Sequence, residues 1–224
     1  MRRLLLAAAL LALAACAAPS QPANLGELKL ALLEYQRSGA YARDLASVAR
    51  EAEAYVRTMA GKVARPALVL DIDETALSNW PTMPANDFGY IPNGPCDALP
   101  AGPCGASAWE LSGRAEAIAP TLALFRTARA SGVAVFFITG RTEDKRAATA
   151  RNLSAAGYDG WAGLVLKPQT LKVESAADYK APEREKIEAS GYRIIANVGD
   201  QPSDLAGGHA LRSFLLPNPF YRIR

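Results

Sequence analysis

Two carboxylates one residue apart, Asp71 and Asp73, close the apolar run Leu68-Val69-Leu70 and are followed by Glu74-Thr75. An apolar run of this length bounded by breakers reads as a buried strand of a parallel sheet. Ligands of open α/β sheets bind beyond the carboxyl ends of such strands. Alternate residues of a strand share a face, so both carboxylates can enter one pocket, about 6–7 Å apart along the chain. Bare carboxylates at that distance repel each other, and a divalent metal is the simplest cation to stand near them. Taken alone, a D-x-D-x-T pattern is also compatible with a surface loop carrying scattered acids.

Other strand ends supply partners. The apolar run 133–138 ends in Thr139-Gly140-Arg141, and the run 192–198 ends in Gly199-Asp200 with Asp204 four residues later. Lys180 opens the helical segment before that last run. Acids, a hydroxyl beside a glycine and a lysine on one rim match phosphoryl transfer. Asp71 can attack phosphorus as a nucleophile. Asp73 can protonate the leaving oxygen and then deprotonate water. Asp71, Asp200 and a main-chain carbonyl of the first strand loop suit Mg2+, which takes a few carboxylates plus water and phosphate oxygens. Thr139 and the amide of Gly140 can donate to phosphate oxygens, because glycine lets the backbone approach closely. Lys180 can neutralise the transferring group.

These residues need a scaffold that brings distant segments to one edge. Residues 25–61 have a helical period (Leu28, Leu32, Leu33), a break at Gly39, and a second helix over about 40–59 with Leu45, Val48, Ala52, Tyr55 and Val56 on one face. Tyr35, Tyr41 and Tyr55 read as packing residues. After the first strand, residues 76–115 carry Trp80, Phe88, Tyr90, Trp109 and many prolines without regular pattern. That is too long for a simple strand-to-helix turn and reads as an inserted cap. Beyond it, helices near 118–131, 142–157 and 178–190 alternate with strands at 133–138, 164–166, 192–198 and 213–216. Alternation of this kind predicts an α/β doubly wound, Rossmann-like parallel sheet, with N-terminal helices and a small cap.

At the level of motifs the resemblance becomes specific. D-x-D-x-T at 71–75, an apolar strand ending in Thr139, a lysine at 180 and G-D-x-x-x-D at 199–204 occur in the order found in the haloacid dehalogenase-like (HAD) superfamily. The stretches L-D-I-D-E-T, F-I-T-G-R, Y-K and N-V-G-D-Q-x-S-D-L resemble its acid phosphatase branch, which includes bacterial lipoprotein acid phosphatases, 5′-nucleotidases and plant vegetative storage proteins. Residues 85–108 match no part of that pattern. The resemblance implies an Mg2+-dependent phosphomonoesterase with Asp71 as nucleophile and Asp73 as acid/base. Thr139, Gly140 and Lys180 would bind phosphate, and Asp71, the Asp73 main chain and Asp200 would hold the metal. Asp204 would hold a metal-bound water or orient its neighbours. Lys167, after a strand and before Pro168, competes with Lys180 for the lysine motif; Asp178-Tyr179-Lys180 followed by Arg184 fits the branch better.

The chain opens with two arginines and an apolar stretch to Ala15, the form of a signal peptide and too short for a bilayer span. Leu13-Ala14-Ala15-Cys16 resembles the lipobox of bacterial lipoproteins, which implies a signal peptide over 1–15 and lipidation of Cys16. It also implies a tether over 16–24 carrying one domain over 25–224, and, with no acid just after Cys16, an outer-membrane address. An ordinary signal peptide cut near Ala18 is the alternative. Cys96 and Cys104 then remain as an even pair in a Gly- and Pro-rich loop, and a disulfide suits an oxidising compartment; free thiols or a metal pair are the other readings.

Composition excludes several classes. The formal charge of +3 falls to about +1 without Arg2 and Arg3, so nothing favours binding a nucleic acid polymer. The single histidine, His209, removes phosphatase mechanisms that need several and itself reads as a loop residue. No Walker loop, G-x-S-x-G or dinucleotide fingerprint is present. Trp80, Phe88, Tyr90, Trp109 and Tyr221 either clamp a flat leaving group such as a nucleobase or pack the cap. A non-catalytic surface lipoprotein, or a phosphotransferase using alcohols, are the rival functions of the same motifs.

Overall fold

The computed structural model describes residues 21–223. The expected signal peptide, the lipidation site Cys16 and the first part of the tether lie outside the described residues. Among these residues no helix is long and apolar enough to cross a membrane.

In chain order the elements are α1 (Leu25–Arg37), α2 (Ala40–Met59), β1 (Pro66–Leu70), β2 (Leu77–Ser78), α3 (Thr82–Ala85), α4 (Ala106–Ser112), β3 (Glu116–Ala117) and α5 (Ala119–Ala130). There follow β4 (Ala134–Thr142), α6 (Arg146–Ala155), β5 (Gly163–Lys167), α7 (Ala177–Ala189), β6 (Arg193–Gly199), α8 (Pro202–Leu205) and β7 (Arg212–Leu215). Five strands form one parallel sheet in the order β5-β4-β1-β6-β7. The chain leaves β1 for β4 on one side and later reaches β6 on the other. The C-terminal end of β1 is therefore the point where the winding reverses, the place such sheets bind ligands.

β1 is buried along its whole length, which is why its sequence is a continuous apolar run rather than an alternating one. Leu68 and Leu70 face the larger core with Phe137, Leu124 and Phe125, under α2 and α5. Ala67 and Val69 face the smaller one with Ile138, Ile194 and Ile187, under α7. Gly39, with φ of 72°, breaks the helical section where expected, and α2 buries Tyr41, Leu45, Ala49, Ala52 and Val56. α1 packs less than its leucines suggest: Leu32 touches the core, while Leu28 and Leu33 are exposed. The three tyrosines pack, Tyr41 edge-on against Phe220 and Tyr55 against Phe214.

The insertion over 76–115 is more ordered than its sequence suggests. The two-stranded β2–β3 ribbon ties its ends together, with Leu77 paired to Ala117. A disulfide joins Cys96 to Cys104. Asn86 braces Cys104 from both sides, its Nδ2 donating to the Cys104 carbonyl and its Oδ1 accepting from the Cys104 amide, each at 2.8 Å. Side-chain and covalent links of this kind leave no periodic signature, which is why the segment reads as pattern-free.

Candidate active site

Asp71 follows the last residue of β1, and its amide donates to the Val198 carbonyl of β6. The side chains continue the strand alternation through the next two positions. Ile72 is fully buried in the core, while Asp71 and Asp73 face a pocket of about 750 Å3. The chain then turns sharply. The amides of Thr75, Ala76 and Leu77 all donate to the Ile72 carbonyl, and Glu74 takes a positive φ of 54°. No hydrogen bond among the described residues reaches the main-chain carbonyl of Asp73.

The two carboxylates have different partners. Lys180, in the first turn of α7, donates to Asp71 Oδ1 at 2.5 Å and to Asp204 Oδ1 at 2.6 Å. All three side chains are less than a tenth exposed. Burial pushes the Asp71 carboxyl well above the carboxylate range, against the opposing pull of Lys180. Burial opposes the charge on Lys180 too, but the two carboxylates outweigh it and hold the ammonium above its ordinary value. Asp73 instead meets Arg141, whose Nη2 donates to Oδ1 at 2.7 Å and whose Nε lies 3.1 Å from Oδ2. Burial raises the Asp73 carboxyl, but Arg141, with Asn79 and Lys180 behind it, more than offsets this and the net shift is downward. One carboxylate is thus tied to a lysine that it shares with another acid, the other to an arginine.

Arg141 reaches Asp73 because β4 continues past Thr139 to Thr142 with a break in register against β5. Bulges commonly re-aim a side chain beside a site in this way. Thr139 is fully buried, and its hydroxyl accepts from the Arg141 amide at 3.1 Å. At this strand end Gly140, Arg141 and Thr142 line the pocket. A Cβ at Gly140 would meet nothing within 4 Å, so the space beside its backbone is open to a ligand.

Asp200 ends β6. Its Oδ1 accepts from Thr75 Oγ1, and its Oδ2 from Gln201 and Asn218. Burial, with the Asp204 charge behind it, pushes the Asp200 carboxyl up to about 6. Asp204 has both oxygens engaged, Oδ1 by Lys180 and Oδ2 by the Gln201 amide in the capping box of α8. Arg184 fixes the loop behind it by donating to the carbonyls of Asp204, Ala206 and Gly208.

Asp71, Asp200 and Asp204 each offer an oxygen within 4.8 Å of one another, all buried. Three buried carboxylates facing one ammonium leave negative charge without a counterion, and burial already pushes two of them toward protonation. This donor set fits a hard divalent cation. Asp71, with Oδ2 uncommitted, and Asp200 fit as side-chain ligands, and the free Asp73 carbonyl as a main-chain one. Asp204 shares the Lys180 ammonium with Asp71 and so also orients it.

The two candidate lysines are placed differently. Lys180 touches Asp71, whereas Lys167, at the end of β5, lines the pocket without a described ion pair. His209 lies beside Glu188 in the last turn of α7, at the far end of that helix from Lys180. Of the five aromatics considered as a clamp, Phe88, Tyr90, Trp109 and Tyr221 line the pocket. Trp80 packs behind it against Phe88 and Phe220. Phe220 stacks on Phe88 at 6.4 Å and 19° and is a pocket residue sequence reasoning missed. Arg141 and Asn79 were missed too. The Arg in T-G-R adjoins a motif and could have been singled out, while nothing in the sequence marks Asn79.

Glu74 is the buried acid that the chemistry above does not use. Its Oε1 accepts from the Asn79 amide at 2.5 Å and its Oε2 from Tyr41 at 3.4 Å. Burial, reinforced by Asp200 and Asp73, pushes its carboxyl from 4.5 up to about 8. The native state therefore keeps a proton that the unfolded chain has lost between these values, so stability falls as pH rises through that window. Glu74→Gln mimics the protonated form. Chemical denaturation in EDTA should show wild type losing roughly 3 kcal/mol between pH 5 and 8 relative to the variant; parallel pH profiles would contradict the assignment.

The same arrangement has relatives. The chain is 36% identical over 194 residues to a stem 28 kDa glycoprotein of Glycine max, covering 85% of this chain and 73% of the relative. It is 33% identical over 192 residues to acid phosphatase 1 of Solanum lycopersicum, covering 85% and 72%. In fold it is similar to a class C acid phosphatase from Bacillus anthracis with tungstate bound, at 19% identity and a TM-score of 0.69 over 88% of this chain and 86% of that one. The family model for HAD superfamily, subfamily IIIB (acid phosphatase), matches residues 21–224, so the chain belongs to that subfamily and is a phosphomonoesterase of the acid phosphatase type.

Proposed function

We propose that this acid phosphatase depends on Mg2+ and works through an aspartyl phosphate at Asp71, on small phosphate esters outside the cytoplasm. The observation that carries the reading is the division of partners at the end of β1: Asp71 on Lys180, which it shares with Asp204, and Asp73 on Arg141 and Asn79. In the first step an Asp71 oxygen attacks phosphorus and the ester P–O bond breaks. Asp73, which Arg141 and Asn79 make a stronger acid than an ordinary carboxyl, gives a proton to the departing oxygen. In the second step Asp73 takes a proton from water as the water oxygen attacks phosphorus, freeing Asp71 and inorganic phosphate. Lys180 stays within reach of the transferring group throughout, and the Gly140 amide holds phosphate oxygens at the β4 end, with Thr139 buried behind it bracing the Arg141 amide. Mg2+ held by Asp71, Asp200 and the Asp73 carbonyl would offset the repulsion between the nucleophile and an anionic ester.

The aromatic wall of Phe88, Tyr90, Trp109, Phe220 and Tyr221 favours esters with a flat leaving group, nucleoside monophosphates among them. Lipidation at Cys16 would hold the 25–224 domain at a bacterial, outer-membrane surface. There a charged ester that cannot cross the membrane is converted into an uncharged product that can be taken up. The test is a panel of phosphomonoesters assayed with EDTA and with added Mg2+. The expected result is Mg2+-restored phosphate release, with nucleoside monophosphates turned over faster than sugar phosphates. Release unaffected by EDTA would remove the metal from the proposal, equal rates would remove the clamp, and no release at any acid to neutral pH would favour a non-catalytic surface protein. Adding an alcohol acceptor and analysing products separates hydrolysis from phosphotransfer.

A further inference from the structure

We propose that Asn79 and Trp109 are positioning residues for Asp73, through which the cap sets the oxygen that exchanges a proton with the leaving group. The proposal rests on Asp73 being the acid/base. Its Oδ1 receives Arg141 Nη2 at 2.7 Å, Asn79 Nδ2 at 2.9 Å and Arg141 Nε at 3.2 Å. Among the described residues its Oδ2 receives only the shared Arg141 Nε, at 3.1 Å. Donors crowd Oδ1 and leave Oδ2 as the oxygen open to a substrate.

The asparagine is suited to this place by its two ends. Trp109 Nε1 donates to Asn79 Oδ1 at 2.7 Å. An indole N–H can only donate, so the amide oxygen must face it, which turns the amide nitrogen to the carboxylate, an acceptor only. The same residue's backbone amide is held by Glu74. An aspartate at 79 would accept from the indole but present a second carboxylate to Asp73. Trp109 sits on α4, in the insertion, and is 5% exposed. Two hydrogen bonds therefore run from the cap to the end of β1.

In the first step the ester bond breaks as the proton leaves Asp73 Oδ2 for the departing oxygen. A weakly basic p-nitrophenolate leaves without much help, whereas an alkoxide needs the proton. The experiment compares kcat/KM for p-nitrophenyl phosphate and for a simple alkyl phosphate across wild type, Asn79→Ala, Asn79→Asp, Trp109→Phe and Asp73→Asn. Asn79→Ala should lose about 10^2-fold or more on the alkyl ester and less than about tenfold on the aryl ester. Asn79→Asp should lose more than Asn79→Ala. Trp109→Phe, which replaces the indole with a ring that has no N–H, should lose about tenfold more on the alkyl ester than on the aryl ester; that ratio carries the test if the Asn79 variants do not fold. Equal losses on both esters, with Asp73→Asn still discriminating between them, would overturn the positioning role and leave the acid/base reading standing. If Asp73→Asn itself fails to discriminate, the acid/base reading falls and the positioning role with it.

Discussion

Asp71→Asn is expected to lose at least about four orders of magnitude in kcat while keeping its fold, because the substitution removes the attacking oxygen and leaves Lys180 the Asp204 carboxylate as its partner. The amide is isosteric, and the backbone bond from residue 71 to Val198 is untouched. Stability should hold or rise, since a buried carboxyl pushed well above its usual range is replaced by a neutral group. Rapid quenching with radiolabelled phosphoester should trap label on the wild type and none on Asp71→Asn. Asp73→Asn should behave differently. It keeps the nucleophile and the main-chain carbonyl, so Mg2+ and inorganic phosphate should still bind, with chemistry impaired at the proton transfers. Titration calorimetry with Mg2+ separates the two variants, and equal loss of binding in both would contradict the division of labour between the two acids.

Lys180→Met should produce the largest combined loss of stability and activity. The ammonium is buried between Asp71 and Asp204, with all three side chains nearly inaccessible. Removing it strands two buried acids, and breaking a buried pair in this way costs about 3–5 kcal/mol. Native proteins have only about 5–15 kcal/mol in hand, so the variant should melt well below wild type. Without the lysine, nothing described opposes the effect of burial on Asp71, whose carboxyl moves further toward protonation and becomes a poorer nucleophile. Saturating Mg2+ should restore part of the melting temperature, because a divalent cation also neutralises the cluster, and should leave kcat at least about 10^3-fold down. A variant that melts like wild type without metal would show that Asp71 and Asp204 do not depend on Lys180.

Much of the site was readable in the chain because its chemistry is concentrated at strand ends. Asp71, Thr139, Gly140 and Asp200 each follow or end an apolar run, and the α/β alternation says that the ends of parallel strands share a rim. Lys180 was harder, since Lys167 had a comparable position; only the placement of α7 decides which ammonium reaches Asp71. Asp204 could be read as a metal-side acid from its motif, but both its oxygens are engaged, which makes it the partner of Lys180 and of the α8 cap. The aromatics were the least legible. A tryptophan in a pattern-free segment has no period to say whether it faces a cavity or a core, and Trp80 and Trp109 went opposite ways.

By itself, the sequence determined the class of sheet, the strand whose end carries Asp71 and Asp73, and the kinds of group that meet there. Those follow from local rules: apolar run length, alternation, and the residue types phosphoryl transfer needs. Only the tertiary structure decided which partner each carboxylate takes. Arg141 reaches Asp73 through a break in strand register, and Asn79 reaches it through a turn and a bond from the cap. Both are contacts between segments far apart in the chain or bent out of regular geometry, so no spacing in the sequence encodes them. The two acids one residue apart at 71 and 73 look interchangeable as letters; burial, a lysine on one and an arginine on the other make them different reagents.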